Sequence, residues 1–200
     1  ARVVFQHISS GLSVDLIRAG KAMGAKIYCE VTPHHLSLTE DAVLEHGTYA
    51  RMNPPLRKEA DRQALIRGLQ DGTVDLIATD HAPHTAEEKA KPFAQAPSGI
   101  TGLETAFSVC NTYLVKTGAL TKMQLLEKMS KNPSEVYRFA DKSIEVGHRA
   151  ELCVLDWDCD KVYTEYYSKG INTPYTGMAL KGAPVCTIMG DRVVRAADLV

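Results

Sequence analysis

Several features are scarce or missing in this sequence of 200 residues, and each absence excludes a class of protein. The 23 basic residues are balanced by 24 acidic ones, so no basic excess is available to neutralise a phosphate backbone in nucleic-acid binding. No uncharged apolar run approaches the ~20 residues of a membrane helix. The chain starts at Ala1 without an initiator methionine or a signal-peptide pattern, so we expect a piece of a longer chain.

Cysteine is present but lacks the spacing of a cross-linking or metal-binding framework. The five cysteines are odd in number and widely separated, and none forms a CxxC pair. This pattern is unlike a disulfide scaffold or a cysteine-type zinc site. Reduced, mostly buried thiols are typical of cytosolic proteins, so we predict a cytoplasmic location.

The first 80 residues alternate between short apolar runs and amphipathic stretches. The runs at residues 3–5, 26–31 and 74–79 predict strands, and residues 59–70 predict a helix. Another helix is predicted after Ser10, with one face formed by Leu12, Leu16, Ala19 and Met23. Strands alternating with helices indicate an α/β fold with a parallel sheet.

The rest of the chain contains long connections, further helices and then a change of pattern. We predict irregular connections at 36–58 and 81–100, a helix near 103–115, and helices starting at the Thr121 capping box and at Asn132. After Ile144, short β-like runs are separated by glycines. We therefore divide the chain into an α/β part, 1–144, and an antiparallel β appendage, 145–200.

Polar side chains follow each of the three predicted strands. In parallel α/β folds the strand ends form one edge, where active sites assemble. Imidazole and carboxylate suit zinc, and a carboxylate beside the metal can act as general acid/base, so the pattern predicts a metal-assisted hydrolase. A catalytic zinc needs at least three protein ligands, more than this chain clearly offers. The residues concerned are His7, His34, His35, Asp80, His81 and His84.

Each of these residues also has an ordinary structural interpretation, which the spacing alone leaves open. His7 is compatible with a hydrogen-bonded polar residue after a strand, and Asp80 with the cap of a turn. His34 and His35 could form the first turn of a helix. Asn53 precedes two prolines, which is a turn pattern in its own right.

Several strings, read together, resemble the dihydroorotase family of the amidohydrolase superfamily, in its longer bacterial form. They are HISS from His7, EVTPHHLSLTE from Glu30, MNPPLR from Met52, DLIATDHAPHTAEEK from Asp75, PSGITGLETAF from Pro97 and SKGINTPYTG from Ser168. The resemblance covers essentially the whole chain and implies the C-terminal part of a (β/α)₈ TIM-type barrel. The appendage would be part of a small β-sandwich domain built from both chain ends.

The resemblance also implies an activity and a set of site residues. The family hydrolyses the cyclic amide of dihydroorotate reversibly to N-carbamoyl-aspartate in pyrimidine synthesis, using one or two zinc ions. His7 would be a zinc ligand after the sixth barrel strand, and Asp80 a ligand and the general acid/base after the eighth. Asn53 and His84 would contact the substrate, as would the backbone near Ser98 and Gly99.

Some parts of the family pattern are absent from this chain. The His-x-His pair, the strand-five histidine, the bridging carboxylate or modified lysine and the arginine for the substrate carboxylate would all lie upstream of Ala1. Pro97-Ser98-Gly99 stands where the family usually has Pro-Phe-Gly. We therefore expect these 200 residues to be inactive alone.

Two alternative functions remain open, and the hypothesis also predicts a set of partners. The chain could belong to a non-catalytic dihydroorotase-like structural subunit, or to a related hydantoinase or allantoinase. We expect a small-molecule substrate, no nucleic acid and no membrane. A homo-oligomer is expected, and aspartate transcarbamoylase is a possible partner.

Overall fold

The computed structural model describes residues 1–139 and 143–196, and its first sheet is parallel. This sheet contains β1 (Val3–Phe5), β2 (Ile27–Val31) and β3 (Leu76–Ile77), in the order β1-β2-β3. The alternating sequence pattern predicted this arrangement. The third strand is shorter than the predicted 74–79.

Two long helices cover one face of this sheet. Helices α1 (Gly11–Ala22) and α4 (Glu59–Asp71) share a core that includes Val14, Ile17, Leu65 and Leu69. The apolar face of α1 identified from the sequence is not the one that packs on the sheet, because Leu12, Leu16 and Met23 are exposed by 69%, 65% and 87%. A helical period identifies a stripe, but α1 has two apolar stripes, and the one with Val14 and Ile17 faces the sheet.

The two predicted loops contain short helices. The 36–58 connection overlaps α2 (Pro33–Ser37) and includes α3 (Ala42–His46) and a 3₁₀ turn (Gly47–Ala50). The Thr32 hydroxyl caps α2, and proline occupies its first position. The 81–100 loop contains α5 (Ala86–Lys89), which starts at a reciprocal capping box between Thr85 and Glu88.

The helices after residue 105 contain two π-helical turns. Helix α6 (Ala106–Cys110) continues into such a turn at Asn111–Val115. Helix α7 (Lys122–Leu126) continues through another, Glu127–Lys131, into α8 (Asn132–Tyr137). Helix α8 begins at Asn132 as predicted, with a proline in its first turn, but Asn132 does not cap it, because Lys131 already has helical dihedrals. The Asn132 side chain instead donates to Asp75 O at 2.7 Å.

The appendage forms a second, antiparallel sheet of β4 (Glu151–Val162), β5 (Ala179–Met189) and β6 (Arg192–Arg195). Within the described residues this is a single sheet rather than the two layers of the predicted sandwich. The first of the β-like runs predicted after Ile144 form one strand, β4, with a register shift between Asp156 and Asp160. Residues 140–142 and 197–200, which belong to the two predicted domains, lie outside the described residues.

Buried polar side chains join the helical part of the chain to the second sheet. The Ser108 hydroxyl donates to Gly182 O at 2.5 Å, and the Asn111 amide donates to Trp157 O and Lys181 O at 2.9 and 2.8 Å. These bonds attach α6 and its π turn to the appendage. Across residues 1–139 and 143–196, no helix has the length and apolarity needed to cross a bilayer.

Candidate active site

The candidate site lies at the edge of the parallel sheet where its three strands end. His7 follows β1, His34 and His35 follow β2, and Asp80 follows β3. Because β1 and β3 flank β2, and neighbouring strands are about 4.8 Å apart, the ends of β1 and β3 are about 10 Å apart. Side chains of ordinary length can bridge such a gap.

The backbone at His7 and at Asp80 is unusual. Both residues have positive φ, 39° for His7 and 48° for Asp80, in the left-handed region that few non-glycine residues adopt. Such strain persists only where surrounding structure maintains it, and it is enriched at functional sites. The Asp80 side chain is exposed, whereas His7 is half-buried.

Glu30 occupies the middle strand between these two residues, and sequence reasoning missed it. Its side chain is only 5% exposed and accepts a hydrogen bond from the Tyr137 hydroxyl at 3.1 Å. Burial raises the pKa of Glu30, opposed by hydrogen bonds from Tyr137 and from the His7 backbone, and the Asp80 charge raises it further. The sequence signal that could have identified Glu30 was a charged residue inside the otherwise apolar run IYCEV.

His35 anchors the segment that carries Asn53. The His35 ring Nε2 donates to Pro54 O at 3.0 Å, while Nδ1 accepts from the Thr32 hydroxyl at 2.7 Å. A carbonyl can only accept, so Nε2 has a proton. Burial lowers the pKa of His35 to about 4. His35 therefore fixes the turn before Pro55 rather than serving as a base.

The loop at residues 81–101, hereafter the site loop, is fastened by one buried amide from the appendage side of the chain. Asn172 is 2% exposed. Its Oδ1 accepts from His84 N at 2.8 Å and from the Thr101 hydroxyl at 2.9 Å. Its Nδ2 donates to Ala82 O and Gly99 O, both at 3.1 Å. Both ends of the site loop are thus joined through a single side chain.

Gly99 permits the two ends of the site loop to approach closely. Its φ is +117°, and a Cβ at this position would lie 2.6 Å from the Ala82 Cβ. The Gly99 N–H donates to Arg51 O at 2.9 Å, and its carbonyl accepts from Asn172. Both Gly99 backbone groups are therefore engaged within the protein.

The His84 ring is also held by the site loop. Its Nε2 donates to Ser98 O at 3.0 Å, and Nδ1 lies 3.4 Å from a Glu88 carboxylate oxygen. Nδ1 is the nitrogen that a substrate could reach by displacing Glu88. The ring orientation is fixed by the backbone at Ser98.

A cleft of about 410 Å³ brings Asn53 and Ser98 together. Arg51 and Phe93 also line it, with the guanidinium carbon 5.5 Å from the ring centroid. Asn53 is exposed to this space. Two of the predicted substrate contacts, from segments about 45 residues apart by their numbers, therefore share one concave surface.

Comparison with known proteins identifies the family. The sequence profile of the Amidohydrolase family matches residues 6–194. The chain belongs to the amidohydrolase family. That match begins just after β1 and includes β2, β3, the site loop and nearly all of the appendage.

Individual relatives agree with this assignment. Dihydroorotase from Clostridioides difficile is 47% identical over 194 residues, which cover 97% of this chain and 46% of that protein. Dihydroorotase from Brevibacillus brevis is 48% identical over 191 residues, covering 94% of this chain and 45% of that protein. An L-hydantoinase (dihydropyrimidinase) structure from Arthrobacter aurescens has a TM-score of 0.88 at 29% identity. The match covers 98% of this chain and 45% of that one. The chain spans slightly less than half the length of these relatives.

Buried imidazole nitrogens without a hydrogen-bond partner are the feature of this amidohydrolase chain that is relevant to metal binding. His7 Nδ1 and both ring nitrogens of His34 are buried without a hydrogen-bond partner. Burial lowers the pKa of His34, which keeps that ring neutral. The unpaired Nδ1 of His7, at the same sheet edge as the exposed Asp80 carboxylate, fits a metal-ligand role. Among the described residues, no group of three donors able to hold a metal is found.

The buried His35 ring gives the amidohydrolase chain a predictable response to acid. Its pKa is about 4, below the ~6.5 of an unfolded histidine, so the unfolded chain binds more protons between those values. The free energy of unfolding should therefore fall as the pH falls through this window. His35 should account for about 2 kcal/mol of that loss by pH 4.5. Urea unfolding of the full-length protein and its His35→Gln variant at both ends of the window measures this share. An identical pH dependence in the two proteins would contradict it.

Proposed function

We propose that the protein containing this chain is a zinc-dependent dihydroorotase, which interconverts dihydroorotate and N-carbamoyl-L-aspartate in pyrimidine synthesis. The observation that carries the proposal is the 47% and 48% identity to two dihydroorotases over nearly the whole chain. The positions of His7 and Asp80 at one sheet edge, and a cleft lined by Asn53 and Ser98, support it.

The residues of this chain have distinct roles in the proposed reaction. His7 and Asp80 would hold zinc, which when bound supplies Lewis acidity to polarise the amide carbonyl and acidify water. Asp80 accepts the proton of the attacking water and returns it to the leaving ring nitrogen. Asn53 would donate a hydrogen bond to the anionic substrate, and the protonated form of His84 would donate one from Nδ1, because its Nε2 is engaged with Ser98 O. Such donors reject analogues that leave them unpaired.

The region of Ser98 and Gly99 completes the proposed substrate contacts. Ser98 lines the cleft, and its carbonyl fixes the His84 ring. Gly99 allows the backbone to pass close to His84, because its absent Cβ leaves room against Ala82. We propose that these residues form the wall against which the pyrimidine ring rests.

We further propose that residues 1–144 are the C-terminal half of a (β/α)₈ barrel and that 145–200 form part of a composite β domain. Exposed apolar residues on β1 and α1 support the proposal, because an adjacent strand and helix would cover them. They are Val3, Phe5, Leu12 and Leu16. The remaining zinc ligands would come from the other half, so the isolated chain is expected to be inactive.

Metal analysis and activity assays of the full-length protein test the function. We expect one or two zinc ions per chain, cyclisation of N-carbamoyl-aspartate, and loss of turnover on chelation with recovery on adding zinc. The isolated 200-residue chain should show no turnover. Turnover that survives complete metal removal, or activity of the isolated chain, would contradict the proposal.

The similarity to L-hydantoinase makes hydantoin hydrolysis the second candidate. Assays with dihydroorotate, a 5-substituted hydantoin and allantoin in parallel decide between these activities. Absence of all three activities in a zinc-loaded protein would favour a structural subunit. Cytoplasmic location, homo-oligomerisation and association with aspartate transcarbamoylase stay predictions, which pull-down and size measurements on the full-length protein address.

A further inference from the structure

Lys89 is the one lysine among the largest fully buried side chains of the described residues. It is the last residue of α5 and is 2% exposed. Its ammonium donates to Thr48 O at 3.0 Å and to Pro97 O at 2.9 Å. Lysine is seldom buried unless it is paired with acceptors, so this position uses the charge to hold backbone carbonyls.

The contact between these segments is reinforced in both directions. The Thr48 hydroxyl donates to Lys89 O at 2.5 Å, so the 3₁₀ turn and α5 exchange hydrogen bonds. A second connection lies nearby, where Gly99 N donates to Arg51 O at 2.9 Å. Three segments therefore meet at the ammonium of Lys89: the 3₁₀ turn, α5 and the end of the site loop.

Each of these three segments leads directly to a proposed substrate contact. The 3₁₀ turn ends shortly before Asn53, α5 begins shortly after His84, and Pro97 immediately precedes Ser98. We propose that Lys89 is a positioning residue that sets the spacing of Asn53 and Ser98, which line the cleft, and of His84, which bonds to Ser98 O. It acts through the backbone and does not itself touch the substrate.

A positive charge suits this junction better than a neutral side chain. Burial, with the nearby Arg51 charge, lowers the pKa of Lys89 to about 8, so the group is still mainly protonated at neutral pH. A charged donor makes stronger hydrogen bonds to carbonyls than a neutral one. A methionine of similar length would leave the Thr48 and Pro97 carbonyls without their donor, which favours separation of the segments.

The test compares Lys89→Met with the matched control Lys91→Met in the full-length protein. Lys91 is exposed and lies on the same loop. For Lys89→Met we expect KM for dihydroorotate to rise at least about tenfold, with kcat changed less than about threefold, because His7 and Asp80 lie on other segments. Lys91→Met should match the unmodified protein in both constants.

Hydrogen–deuterium exchange provides a readout that does not depend on the proposed function. Peptides covering residues 47–52 and 95–101 should exchange faster in Lys89→Met, while those covering β1 and β2 should be unchanged. If the unmodified protein does not act on dihydroorotate, the proposed function fails, and exchange alone decides the role of Lys89.

Three results would overturn the positioning role. One is unchanged exchange in both peptides, and another is a fall in kcat with KM constant. The third concerns a milder variant, Lys89→Gln, made in case Lys89→Met does not fold. If neither variant folds while Lys91→Met does, Lys89 is needed for the whole fold rather than for the spacing of the cleft.

Discussion

Replacing Asp80 by asparagine in the full-length protein should reduce turnover by about a thousandfold or more without unfolding it. Loss of one general acid/base alone costs about 10²- to 10⁴-fold, and this substitution also weakens a proposed zinc ligand. The fold should tolerate the change because the carboxylate is exposed and accepts no hydrogen bond from the described residues. Steady-state cyclisation of N-carbamoyl-aspartate and a thermal melt measure the two effects.

Asp191→Asn is the matched control for this variant. Asp191 is exposed in the turn between β5 and β6, so the same chemical change there should alter neither turnover nor melting temperature. Zinc content should fall in Asp80→Asn and remain unchanged in the control. Full activity of Asp80→Asn would exclude both proposed roles of the carboxylate.

The location of the site was predictable because parallel strands impose it. Short apolar runs followed by His7, His34 and Asp80 identify strand ends, and parallel pairing brings those ends to one edge. No packing detail is needed for this inference. The strings that resemble dihydroorotases then supplied roles that spacing could not assign.

The face of α1 was not predictable from its own sequence. Leu12 and Leu16 follow the helical period as well as Val14 and Ile17 do, and only the position of the sheet decides which pair is buried. The exposed pair becomes intelligible if α1 has a second neighbour, as a helix in a complete barrel would. An amphipathic pattern alone therefore does not decide which apolar stripe of a helix is buried.

The residues that organise the site loop were missed because their partners are distant in sequence. Asn172 bonds to His84 N across 88 positions, and Lys89 bonds to Thr48 O across 41. Local pattern does not encode such contacts. Both residues lie in the strings that resemble the family. The resemblance therefore marked these positions, but it assigned no role to them.

Asn172→Asp should impair both stability and catalysis, although the two side chains have nearly the same shape. The substitution replaces the Nδ2 donor by an oxygen facing the Ala82 and Gly99 carbonyls. Two hydrogen bonds are lost, and a buried carboxylate meets two acceptors, which costs about 2–4 kcal/mol. Because these bonds join both ends of the site loop, kcat/KM for dihydroorotate should fall by about a hundredfold.

Asn111→Asp separates the effect on catalysis from the loss of stability. Asn111 is also fully buried, and its Nδ2 donates to two carbonyls, Trp157 O and Lys181 O, at a junction between α6 and the appendage. Its replacement should lower the free energy of unfolding by a similar amount and leave kcat/KM of the folded fraction nearly unchanged. Urea unfolding and kinetics on both variants test this contrast. Equal losses of kcat/KM would mean that activity depends only on the overall stability of the protein. Asn172 would then have no specific role in positioning the site loop.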